Sequence, residues 1–87
     1  MSDWSVFLSN QAKEDLAGLD SEVKNRVLDK MRWLSKNFEL ITPIPLQGEF
    51  SDFFKLRVGD WRVIYKVSYS KEKIVVHYID HRSEIYN

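Results

Sequence analysis

The strongest constraint on the fold is Asp52–Val67, DFFKLRVGDWRVIYKV, where two runs of aromatic and β-branched residues flank the turn dipeptide Gly59-Asp60. That pattern predicts a two-residue β-hairpin. Cross-strand partners in a hairpin sum to a constant, so Val58 opposes Trp61, Arg57 opposes Arg62, Leu56 opposes Val63, Lys55 opposes Ile64 and Phe54 opposes Tyr65. One face then carries Phe54, Leu56, Val58, Trp61, Val63, Tyr65 and Val67, a core surface. The other carries Lys55, Arg57, Arg62 and Lys66. Like charges directly opposed across a strand pair cost stability. Arg57 against Arg62 is therefore a local conflict that a bound anion would relieve. The same charges also read as the solvated outer face of a half-exposed sheet.

The remaining chain must supply a cover for the apolar face. Asp20 is placed to cap a long helix with Glu22 in its first turn, and Val23, Val27, Met31, Leu34 and Phe38 recur at spacings of four, four, three and four. This single stripe is expected to pack on the sheet. Lys24, Arg26, Lys30, Arg32 and Lys36 lie largely off it and read as a solvated face open to RNA or a partner. A shorter helix precedes it, capped by Ser9 or Asn10, carrying Ala12, Leu16 and Leu19 and stopping near Gly18. Trp4–Ser9 alternates as a short first strand expected at the sheet edge.

Residues 39–51 hold Pro43, Pro45 and Gly48 and show no sustained period, so they form a connection. Ile74–Asp80, IVVHYID, is a strong final strand. A turn centred on Lys71-Glu72 sets Val67 against Val76, Tyr65 against Tyr78, Lys66 against His77 and Arg62 against His81, adding two histidines to the basic face. The order is β-α-α-β-β-β.

With 87 residues the chain is expected to be a single domain, 1–87, burying only about 60–65% of its unfolded surface. The absence of cysteine excludes disulfides and thiolate metal sites and fits a reducing compartment. No apolar run has the length of a membrane span, and MSDWSVFLSN lacks a basic region followed by a cleavable apolar segment, so a cytoplasmic protein is expected. Net charge is zero, which removes any whole-molecule electrostatic case for nucleic-acid binding. The charges are nevertheless unevenly placed: residues 1–49 hold 6 basic and 8 acidic side chains, residues 50–87 hold 7 and 5. The positive bias sits on the hairpin half.

Metal binding is not expected, because His77 and His81 stand on a strand beside basic residues that repel a cation. No phosphate loop and no Ser-His-Asp motif occurs. What remains is a basic sheet face suited to a phosphodiester, with Arg82 and Tyr86 at the end of the chain. Arginine presents paired donors to phosphate oxygens and offsets negative charge growing on phosphorus.

These residues carry a resemblance. FFKLRVGDWRVIYKV followed by IVVHYIDHRSEIY resembles the RelE branch of the RelE/ParE toxin superfamily, and the likeness extends over nearly the whole chain. It implies an α+β, RelE-like fold, with two N-terminal helices on one face of a four-stranded, mainly antiparallel sheet. It also implies a metal-independent, cofactor-free endoribonuclease that cuts mRNA in the ribosomal A site by attack of the RNA 2′-hydroxyl, held in check by a cognate antitoxin. The toxin–antitoxin complex would bind its operator DNA through the antitoxin.

By position, Lys55 and Arg57 match the family's two basic residues on the first hairpin strand, Arg62 the arginine after the turn aromatic, and Arg82 and Tyr86 the closing arginine and tyrosine. The resemblance gives Arg62 and Arg82 the phosphate, Lys55 the base or its electrostatic support, and Tyr86 the orientation of the attacking nucleotide. Lys66 and His81 are expected to contact RNA, His81 also as a secondary candidate for proton transfer. Arg57 stands where the best-known RelE has Lys, which makes its contribution electrostatic. Two other functions fit the same fold: a ParE-like inhibitor of DNA gyrase, and an inactive antitoxin-binding relative.

Overall fold

The computed structural model describes residues 3–81, so Arg82 and Tyr86 lie outside the described residues. Strand β1 (Ser5–Leu8) leads into helices α1 (Asn10–Ala17) and α2 (Ser21–Asn37), followed by β2 (Ile44–Pro45), β3 (Phe54–Val58), β4 (Trp61–Ser68) and β5 (Lys73–His81). They form a mixed five-stranded sheet in the order β1-β5-β4-β3-β2, with β1 parallel to β5 and the other pairs antiparallel. The expected four-strand sheet thus gains one short member. β2 lies in the stretch read as a connection. Pro45 is tolerated there because an edge strand needs no N–H donor on its open side.

Both helix starts follow the sequence. Ser9 Oγ accepts from Ala12 N at 3.0 Å and Asp20 Oδ1 accepts from Val23 N at 3.0 Å, each satisfying one backbone donor that the first helical turn leaves free. Ser9 also ties α1 to the sheet, donating from Oγ to the His77 carbonyl at 2.7 Å and from its backbone to Val76 O at 2.9 Å. The α2 stripe is buried as its spacing requires: Val27, Met31, Leu34 and Phe38 pack with Val58, Val63, Tyr65, Ile74, Val76 and Ile79. Trp4 closes one end of this core, its ring 4.7 Å from that of Phe38.

The β3–β4 register is the one read from the Gly59-Asp60 turn, pair for pair from Phe54–Tyr65 to Val58–Trp61. Gly59 takes φ +61 at the first turn position, where only glycine is unstrained. The β4–β5 register differs from expectation. Ser68 pairs with Lys73 and Tyr65 with Val76, but Ile64 pairs with Tyr78, so the ladder slips by one residue at a bulge and His77 is the extra residue. Asp80, not His81, stands opposite Arg62, and His81 opposes Trp61. Lys66 opposes Val75 rather than His77.

Candidate nucleic-acid interface

The helices cover one face of the sheet, and the register puts Lys55, Arg57, Arg62, Ile64, Lys66, Tyr78 and Asp80 on the other. Ile64 is fully buried although it belongs to this outer face and not to the helix-packed core. Its neighbours on the face are Lys55 and Tyr78 across the strands and Arg62 and Lys66 along its own. The long side chains around it therefore form a basic rim about an apolar floor, burying their stems and keeping their heads in water.

The opposed arginines are reconciled within the chain. Arg62 donates from Nε to Asp80 Oδ1 at 3.1 Å and from Nη2 to Asp80 Oδ2 at 3.2 Å, a bidentate pair whose side chains are 16% and 19% exposed. The anion that relieves the Arg57–Arg62 conflict is thus an in-chain carboxylate. Among the described residues two of the five guanidinium N–H donors of Arg62 are used, leaving three for another acceptor. Arg57, directly opposite, is exposed. The Tyr78 hydroxyl is held above its usual pKa, by burial first and the Asp80 charge second, with Arg62 opposing. It is a proton donor and acceptor by hydrogen bonding, not an anion.

At the other end of the face, Lys66 Nζ lies 4.6 Å over the Phe53 ring, whose edge meets His77 at 5.2 Å. Burial, then the Lys66 charge, lowers the His77 pKa below its ordinary value. The shift favours the neutral ring, which stands edge-on in an aromatic cluster. His81 is drawn away from the basic face: its ring sits edge-on to Trp61 at 4.8 Å, on the helix side. The bulge is the reason, since one inserted residue exchanges the faces of everything beyond it.

The structure therefore brings Lys55, Arg57, Arg62 and Lys66 together and separates His81 from them. Asp80 is the member of the face that sequence reading missed. The signal was present, the one acidic residue of β5, within one position of the expected partner of Arg62. Lys55, Arg57 and Lys66 supply positive charge with no ion pair among the described residues, and Arg62 supplies donors held in a fixed direction. Such an arrangement can receive and orient a phosphate. Among the described residues no group of three or more His, Asp or Glu gathers as a metal site, and no helix is long and apolar enough to cross a membrane.

Comparison with known proteins gives the family. A sequence model described as the ParE toxin of type II toxin-antitoxin systems, parDE, matches residues 6–86. No curated protein matches the chain significantly. Among solved structures, the toxin–antitoxin complex RelBE2 from Mycobacterium tuberculosis contains a chain of 26% identity and TM-score 0.83, with 95% of each chain covered. The archaeal RelE–RelB complex from Pyrococcus horikoshii OT3 gives 26% identity and TM-score 0.74, covering 92% of this chain and 96% of that one. The isolated E. coli RelE toxin shares the fold at 22% identity and TM-score 0.72, over 95% of this chain and 90% of its own. The chain belongs to the ParE toxin family, within the RelE/ParE superfamily of type II toxin–antitoxin toxins.

Proposed function

We propose that this toxin is a ribosome-dependent endoribonuclease that cuts mRNA in the A site. The observation that carries the reading is the convergence of Lys55, Arg57, Arg62 and Lys66 on the sheet face that neither helix covers. The 2′-hydroxyl oxygen attacks the adjacent phosphorus, the bond to the 5′-oxygen breaks, and the products are a 2′,3′-cyclic phosphate and a 5′-hydroxyl. The hydroxyl proton leaves as the oxygen attacks, and the departing 5′-oxygen takes one up. Arg57 and the three remaining donors of Arg62 offset the charge that grows on the phosphate oxygens. Lys55 supports the attacking oxygen as base or by its charge. Lys66 holds the strand. Arg82 and Tyr86, outside the described residues, are assigned the phosphate and the attacking nucleotide. The partner that silences the toxin in the cytoplasm is a cognate antitoxin, as in the RelB and RelE complexes of similar fold, and operator DNA is bound through that antitoxin.

A translating extract programmed with a defined mRNA tests this. The expected products end in a 2′,3′-cyclic phosphate, appear only when ribosomes engage the message, and are lost in Arg62→Ala while that variant still melts cooperatively. One observation favours a second reading. The Arg62–Asp80 pair offsets one positive charge at the centre of the face, which suits a ParE-like protein surface that inhibits DNA gyrase without chemistry. An intact message together with gyrase trapped on DNA would select that reading.

A further inference from the structure

On the helix side, α2 and β3 leave an open groove between them. One part, about 420 Å³, is lined by Arg26, Lys30 and Trp33 of α2 together with Arg57 and Gly59 of the hairpin. A second part, about 230 Å³, shares Lys30, Trp33 and Arg57 and continues past Lys55 to Ile44. The groove exists because β2 pairs only with Phe54 and Lys55. Among the described residues no strand continues beside Leu56–Val58 on that side.

Arg26, Lys30 and Trp33 are spaced four and three apart, so they form one surface stripe of α2 about 10 Å long, beside the buried one. The stripe is built around a stacking platform. Trp33 is 40% exposed, the most of the three tryptophans, and Lys30 Nζ lies 4.1 Å over its ring. Arg26 is seated on the hairpin turn, its Nη2 only 2.7 Å from where a Cβ on Gly59 would stand. The one acidic side chain in this part, Asp29, is engaged by Arg32 at 2.7 Å. The groove thus presents four cations, Arg26, Lys30, Lys55 and Arg57, around one exposed indole. Arg57 and Lys55 belong to the basic sheet face as well, so groove and face are continuous around the β3 edge.

We propose that this groove is a second contact for single-stranded RNA, with Arg26, Lys30 and Arg57 on phosphates and a base stacked on Trp33. It rests on the reading of the sheet face as an RNA site and extends it: the strand leaving the face turns around β3 onto α2. Cations interleaved with an exposed aromatic ring match a sugar-phosphate backbone with bases, since stacking is indifferent to sequence and the phosphates meet the charge. An acidic peptide would leave the indole without a comparable partner.

Binding of a short 2′-O-methyl oligouridylate, which offers no 2′-hydroxyl for cleavage, tests this by tryptophan fluorescence and by anisotropy over a range of salt. The expected result is quenching that disappears in Trp33→Phe, affinity about five-fold or more weaker in Trp33→Ala, and a log–log salt slope about 0.7 smaller in magnitude for Lys30→Ala. Equal affinity and slope in wild type, Trp33→Ala and Lys30→Ala overturn the groove, whatever the protein does to mRNA. Quenching at Trp33 by an acidic peptide but not by the oligonucleotide overturns it in favour of a protein surface. Specific Trp33 quenching in a protein that leaves mRNA intact upholds the groove while the nuclease reading fails.

Discussion

Arg62 and Asp80 face each other across β4 and β5, and the guanidinium grips both carboxylate oxygens, at 3.1 and 3.2 Å, in the middle of an otherwise basic surface. The pair sets the direction of Arg62 and subtracts one positive charge from the face. Asp80→Asn keeps the shape and removes the charge. It is expected to lower stability by about 1–2 kcal/mol, between the values of exposed and buried pairs, and to increase retention on a polyanion column. Urea unfolding and heparin chromatography of the variant measure the two effects.

A second carboxylate seals the sheet. β1 ends at Leu8, and beyond it the edge of β5 is met by α1, from which Asp15 Oδ2 accepts the Ile79 backbone N–H at 2.9 Å. Asp15→Ala leaves that amide without its partner. Hydrogen exchange at Ile79 is expected to quicken in Asp15→Ala and to stay close to wild type in Asp15→Asn, which retains an acceptor oxygen.

Gly59 holds the hairpin turn at φ +61. An alanine there takes a left-handed conformation at a cost of about 1 kcal/mol or slightly more. Its Cβ also pushes the Arg26 guanidinium aside, a cheap movement because Nη2 is the far end of a flexible, exposed side chain. Gly59→Ala is expected to lower the unfolding free energy by that amount, seen as a lower urea midpoint at an unchanged slope, and Gly59→Asn to lower it less.

His77 carries a pH dependence. Its folded pKa lies below the ordinary 6.5 because of burial and then Lys66. As pH falls through 6.5 the unfolded chain binds a proton at this site before the folded protein does, so stability is full above 6.5 and declines below it until the folded pKa is passed. Urea midpoints measured between roughly pH 7.5 and 5.5 are expected to decline less in His77→Gln than in wild type.

The hairpin was legible because its register depends on two residues. Gly59-Asp60 fixed every β3–β4 pair, and the 4-4-3-4 spacing from Val23 to Phe38 fixed the helix face that covers them. The β4–β5 pairing was not, because a bulge needs no particular residue and one inserted position at His77 exchanges faces beyond it. That slip put Asp80 beside Arg62 and His81 beside Trp61. β2 was missed for another reason. Two residues are too few to show a period, and Ile44–Pro45 pairs as a strand only because the chain reaches β3, with Leu46 N donating to Phe53 O at 2.9 Å.

Cleavage of translated mRNA by the basic sheet face is tested most directly by mapping the 5′ ends of mRNA across the transcriptome shortly after induction. The expected result is a set of new ends in phase with codons inside translated regions, absent when Arg57→Ala or Arg62→Ala is induced to the same level. Intact mRNA in cells whose growth has stopped, with DNA breaks held by gyrase, would contradict it.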